Sequence, residues 1–134
     1  MVGKFAIQTK MNDVFEITAD VKNYVAQSGV KEGICLVYTP HTTAGIVVAS
    51  RMDPDGFDDM RDEVCRLVPT RIDFKHQFDT PSDAAGHIKS MLLGVSMTFM
   101  VIDGKLFLGG SQGIFFMEFD GPRNRQYFVK VLEG

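Results

Sequence analysis

Residues 95–119 read VSMTFMVIDGKLFLGGSQGIFFMEF, and that stretch decides the fold class. Val95 to Ile102 and Lys105 to Leu108 are apolar runs separated by Asp103-Gly104, a pair that tolerates the left-handed backbone of a tight hairpin. Gly113 to Phe119 and Gln126 to Leu132 follow as two further strand-like runs. Strands in succession, with no helix between them, argue against a doubly wound chain of alternating strands and helices.

Working back from Gly94, TPSDAAGHIKSMLLG (residues 80–94) carries the signals of a helix. Thr80 caps it, Pro81 follows in the first position, Asp83 stands three residues after the cap, and Gly94 ends it. Its expected apolar stripe is Ala84, Ile88, Met91 and Leu92. MDPDGFDDMRDEVCRLVP (residues 52–69) opens on Asp53 and Pro54, gathers acidic residues early and arginines late, and stops at Val68-Pro69. A shorter helix is expected over TADVKNYVAQSG (residues 18–29), with Thr18 as cap and Gly29 as stop. Lys4 to Thr9 and Val14 to Thr18 alternate around KMND as a hairpin would, and Gly33 to Thr39 and Ala44 to Ala49 read as central strands. The segment Thr70 to Asp79 has little periodicity. The expectation is a single α+β domain over residues 1–134, mostly antiparallel sheet with about eight strands and three helices.

Composition narrows the function classes. The 134 residues are 45% hydrophobic and 23% charged, with a formal net charge of −3, which fits a globular chain and offers no electrostatic attraction to nucleic acid or an anionic membrane. The longest apolar run is too short to span a bilayer, and the N-terminus lacks the core of a signal peptide. Cys35 and Cys65 make no disulfide framework and are expected as small buried hydrophobes in a reducing cytoplasm.

The chemistry concentrates in three histidines. His41 lies between two strands in YTPHTTAGIVVAS, His76 in the aperiodic segment, and His87 on the later helix. Asp83, His87 and Ser90 share one face of that helix at i, i+4 and i+7. Three converging neutral imidazoles would leave a further coordination position open, as catalytic zinc sites do, with Asp79 or Asp83 fixing a ring from behind. Taken singly, each histidine is more simply a surface residue or a hydrogen-bonded core residue. LGGSQG around Ser111 and Gln112 is an anion-loop candidate and equally a bulged hairpin. Arg123 and Arg125 in FDGPRNR can grip phosphate, or sit at a solvated tip. Glu118, on the face of Ile114 and Phe116, needs a partner, a pocket or an oligomer interface.

PHTTAGIVV, DPD, the isolated His76, and DAAGHIKSMLLGVSMTFMVIDGKLFLGGSQGIFFMEFDGPRNR together resemble the YjbQ-like family, described as secondary thiamine-phosphate synthase enzymes. The resemblance runs from about Lys4 to the C-terminus. It implies a compact α+β fold, a homotrimer, and a pocket where His41, His76 and His87 bind a divalent metal such as zinc. Thr42, Lys89 and Gln112 fall on motif positions expected to be catalytic, and Ser90 and Arg123 on positions expected to bind a small phosphorylated molecule or anion. The implied reaction couples a pyrimidine diphosphate to a thiazole phosphate and releases pyrophosphate. The chain departs from the family pattern at Ala49, Ser50 and Arg51, where an acidic segment is usual, and at Ser111, where a tryptophan is usual. These departures keep two alternatives open: metal-assisted hydrolysis of a phosphate ester, and a trimeric metal or small-ligand binding protein without turnover.

Overall fold

A computed structural model of the protein describes residues 1–76 and 79–134. Among them the chain runs β1 (Val2–Gln8), β2 (Val14–Glu16), α1 (Thr18–Ser28), β3 (Gly33–Tyr38), β4 (Ala44–Ser50), α2 (Asp55–Leu67), α3 (Pro81–Leu93), β5 (Ser96–Ile102), β6 (Lys105–Leu106), β7 (Gln112–Glu118) and β8 (Asn124–Glu133). Two sheets result, one in the order β1-β8-β3-β5-β6 and one in the order β2-β7-β4. Every pairing is antiparallel. The expected fold class holds.

The core lies between the sheets. Cys35, Val37, Phe99, Val101 and Val129 face Ile46, Ile114 and Phe116, and Val21 and Val25 of α1 fill the space beside them. Burial drives the Cys35 thiol pKa up to about 11, as expected of an inert core cysteine. β7 explains its own continuous apolar run: it is buried on both faces. Phe116 packs toward the other sheet, while Phe115 turns outward to meet Phe57 of α2 at 4.8 Å between ring centroids. α3 covers β4, close enough that a methyl group on Gly86 would stand 2.8 Å from the Phe119 carbonyl oxygen. Ser90 Oγ donates to the Ala44 carbonyl at 2.7 Å, tying the same helix to the start of β4.

Several local expectations are corrected. β1 and β2 form no hairpin with each other, because β1 pairs with β8 and β2 with β7, in different sheets. Residues 9–13 instead cross between sheets, held to a second crossing by Thr9 N–H on the Arg123 carbonyl and Asn12 N–H on the Asp120 carbonyl. Gly121 of that second crossing has φ +93 and leaves no room for a side chain beside the Lys10 carbonyl. Ile17, not Thr18, stands at the N-cap of α1. Thr18 is buried, and its hydroxyl accepts the Ile114 N–H. On α3 the stripe is displaced in part: Ala84 is buried as expected, but Met91 and Leu92 are 74% and 63% exposed, and Asp83, Ala85, Gly86, Lys89 and Ser90 face inward with Ala84. Close approach to β4 admits small residues, and polar groups with local partners, in place of large apolar ones.

Glu118 has its partner. Its carboxylate accepts from Arg125 Nε (2.7 Å), Thr9 Oγ1 (2.6 Å) and the Asp120 N–H (3.0 Å), and pairs with Arg125 Nη2 as well. Arg125 also donates to Thr43 Oγ1 at 2.6 Å. The network joins β7 to β8 across the two sheets, and four bonds saturate the carboxylate.

Candidate functional site

Three crossings between the sheets meet at one end of the molecule: residues 9–13, 39–43 and 119–123. α3 begins beside them. Thr80 Oγ1 accepts the Asp83 N–H at 3.1 Å, and the helix then presents Asp83 and His87 one turn apart. His76 arrives from the segment preceding α3. Asp83 Oδ2 lies 3.1 Å from His76 Nε2 and 3.1 Å from His87 Nε2, and the two rings stand edge to face with centroids 5.0 Å apart. All three ligand atoms fall within 4.8 Å of one another. One cation can span such a set.

Arg123 holds Asp83 from the other side. Its Nη2 lies 3.6 Å from Asp83 Oδ1, 2.7 Å from Asp120 Oδ2 and 3.3 Å from Asp79 Oδ2. The Asp120 carboxylate keeps the guanidinium firmly protonated. Asp83 is buried, while the His76 and His87 side chains are 46% and 39% exposed. The arrangement is a shielded carboxylate with two imidazoles open to solvent.

The structure therefore brings His76 and His87 together and sets Asp83 in the third place. His41 lies outside that set. Its Nε2 accepts the Gln126 N–H at 2.9 Å, which assigns the proton of the neutral ring to Nδ1. Burial lowers its pKa, and the nearby Arg125 guanidinium reinforces that shift, so the ring is neutral near pH 7. His41, Thr42, His87 and Tyr38 line one cavity of about 400 Å³. The remaining expected residues are dispersed. Ser90 is on the cavity wall, but its hydroxyl is committed to Ala44. Lys89 is buried against Cys65 of α2. Gln112 closes its own turn through the Gly109 N–H and pairs with Ser50, at the opposite end of β7 from Glu118. The role of Asp83 as a potential ligand was not read from the sequence, although its i, i+4 relation to His87 was visible there.

Comparison with known proteins settles kinship. The profile of the family described as UPF0047 protein YjbQ-like matches residues 3–134. The chain belongs to the YjbQ-like UPF0047 family. It is 43% identical to a UPF0047 protein of Methanocaldococcus jannaschii over 133 residues, covering 98% of this chain and 94% of the relative. It is also 37% identical to the UPF0047 protein YugU of Bacillus subtilis over 126 residues, covering 92% of each. Among solved structures, a YjbQ-like protein of unknown function from Sulfolobus solfataricus superposes with a TM-score of 0.93 at 30% identity, covering 100% of this chain and 97% of that one. A YjbQ/UPF0047 protein from Clostridium acetobutylicum gives 0.87 at 39% identity, covering 96% and 98%. No helix among the described residues of this family member is long and apolar enough to cross a membrane.

Proposed function

We propose that this protein is a metal-dependent enzyme acting on a small phosphorylated molecule, with His76, Asp83 and His87 holding a divalent ion beside the His41 cavity. The observation that carries this reading is the single oxygen of Asp83 at 3.1 Å from both imidazole nitrogens. Two nitrogens and one carboxylate oxygen form a donor set used for zinc and iron in catalytic sites, and suit magnesium poorly. Bound there, the ion would act as a Lewis acid toward a phosphoryl oxygen or lower the pKa of a water.

The chain's own residues divide the remaining work. Arg123 positions Asp83 by pairing with Oδ1, leaving Oδ2 toward the histidines. His41 enters as a donor into the cavity through Nδ1–H, with its expected ligand role requiring release of Gln126. Thr42, exposed beside it, is available to a ligand hydroxyl or phosphate oxygen. Thiamine-phosphate synthesis from a pyrimidine diphosphate and a thiazole phosphate is the first reaction to assay, and phosphate-ester hydrolysis the second. Assembly as a cytoplasmic homotrimer belongs to the same proposal. Ile34, Leu36, Tyr38, Met100 and Leu132 line the outer face of the larger sheet as neighbours in register, all exposed, and such an apolar patch favours contact with another copy.

A second reading, a metal or small-ligand binding protein without turnover, is favoured by one observation: the guanidinium of Arg123 already faces three carboxylates and that of Arg125 is spent on Glu118. Neither is free to clamp a departing pyrophosphate. The test is metal analysis of untagged protein, followed by both assays with and without zinc. Zinc-dependent turnover lost in His87→Ala supports the enzyme. Stoichiometric zinc with no turnover supports the binding protein, and absence of any divalent metal affinity sinks the metal-dependent enzyme and the metal-binding form of the second reading.

A further inference from the structure

Lys89 is among the largest fully buried side chains, 2% exposed. Its Nζ donates to Cys65 Sγ at 3.5 Å, the one hydrogen bond its side chain makes among the described residues, and no carboxylate there forms an ion pair with it. A buried amine is ordinarily matched by an anion or several acceptors, because its desolvation is otherwise uncompensated. A lone thiol is an unusual match. Cys65 is only half-buried, and it borders a void of about 10 Å³ together with Val64, Met117 and Phe119. That is room for one water-sized molecule at the sulfur. The contact also links α2, which buries no residue completely, to α3, which carries Asp83 and His87.

We propose that Lys89 and Cys65 form an oxidative cross-link, a Lys89 Nζ–O–Sγ Cys65 bridge, with hydrogen peroxide as oxidant. The first peroxide converts the thiol to a sulfenic acid and leaves as water. The sulfenic oxygen sits on a sulfur 3.5 Å from Lys89 Nζ, within reach of the amine. A second peroxide then accepts two electrons as the N–O bond forms. It takes one hydrogen from nitrogen and one from the sulfenic hydroxyl and leaves as two waters. Oxygen stays in the bridge, which spans more of the 3.5 Å separation than a direct N–S bond would. Thiol reductants supply four electrons, two dithiol equivalents, and return the amine and the thiol with the bridging oxygen leaving as water. The bridge fastens α2 to the helix bearing the candidate ligands, so peroxide would rigidify that side of the site.

The test treats the full-length protein with hydrogen peroxide and reads its mass. The bridge adds one oxygen and removes two hydrogens, a gain of about 14 Da, where the ordinary cysteine ladder adds about 16, 32 or 48 Da. In a tryptic digest, cleavage after Lys89 is lost and the peptide 62–66 is joined to the one containing Lys89. Dithiothreitol restores both. Cys65→Ser and Lys89→Arg each abolish the 14 Da gain, with circular dichroism confirming the fold. Should wild-type protein climb only the sulfenic-to-sulfonic ladder, or lose about 2 Da through a direct N–S bond, the bridge is refuted. Persistence of the gain in Lys89→Arg refutes it equally. The wild-type digest decides the matter even if a variant fails to fold.

Discussion

Glu118 and Asp83 are both buried carboxylates facing arginine, yet their surroundings differ in one respect. At Glu118 every partner is itself buried: Arg125, Thr9 and the backbone of Asp120 consume both oxygens. At Asp83 two of the partners are imidazoles left substantially exposed, and the arginine is shared with Asp79 and Asp120. A saturated, dry network fixes the relative placement of two sheets. A half-open one keeps donor atoms that can exchange protons for a ligand. The same residue types thus give a fastening in one place and a candidate reactive centre in the other, and accessibility of the partners makes the difference.

The contrast can be broken by mutation. Glu118→Ala leaves Arg125 buried and unpaired and is expected to cost about 3–5 kcal/mol of stability, measured by urea unfolding. A cost under about 1 kcal/mol, the range of an exposed pair, would erase the distinction between the two sites. Asp83→Ala is expected to do the reverse. Zinc affinity, followed by titration calorimetry, falls by more than about 100-fold, beyond the usual effect of a supporting residue, while the unfolding midpoint barely moves. Arg123→Ala sharpens the role of positioning: zinc affinity falls by about 10-fold, because Asp83 Oδ1 loses its partner.

The smallest expected effect is the pH dependence at His41. Burial holds its folded-state pKa below the ordinary imidazole value. The unfolded chain therefore takes up a proton first as pH falls, so stability is complete above about pH 6.5 and declines as pH drops from there toward the folded value. Melting temperatures between pH 7.5 and 5, taken in chelator, are expected to fall less for His41→Gln, whose amide oxygen can still accept the Gln126 N–H. An identical decline in both proteins would remove His41 as the cause.

Much of this was legible in the chain. The helix over residues 80–94 declared itself through Thr80, Pro81 and Gly94, and the hairpin at Asp103-Gly104 through its turn residues, because these signals are local. The buried character of β7 was visible as an unbroken apolar run. Pairing was not: the alternation of β1 and β2 suits a hairpin as well as it suits two edge strands in separate sheets, and only the crossings at residues 9–13 and 119–123 decide between them. The α3 stripe misled for a related reason. Periodicity marks which residues share a face, while the distance to the neighbouring layer, set here by Gly86 against Phe119, determines whether that face takes methionine or glycine.

By itself the sequence determined the kinds of element, their order, the family and the residue types able to do chemistry, since these depend on neighbours a few positions apart or on motif identity. Which of those residues meet was decided only by tertiary structure. His76 joins His87 on Asp83, His41 turns to Gln126, and Lys89 faces Cys65. Contacts across so many residues depend on how two sheets and two covering helices close over a shared core, and no local pattern encodes that closure.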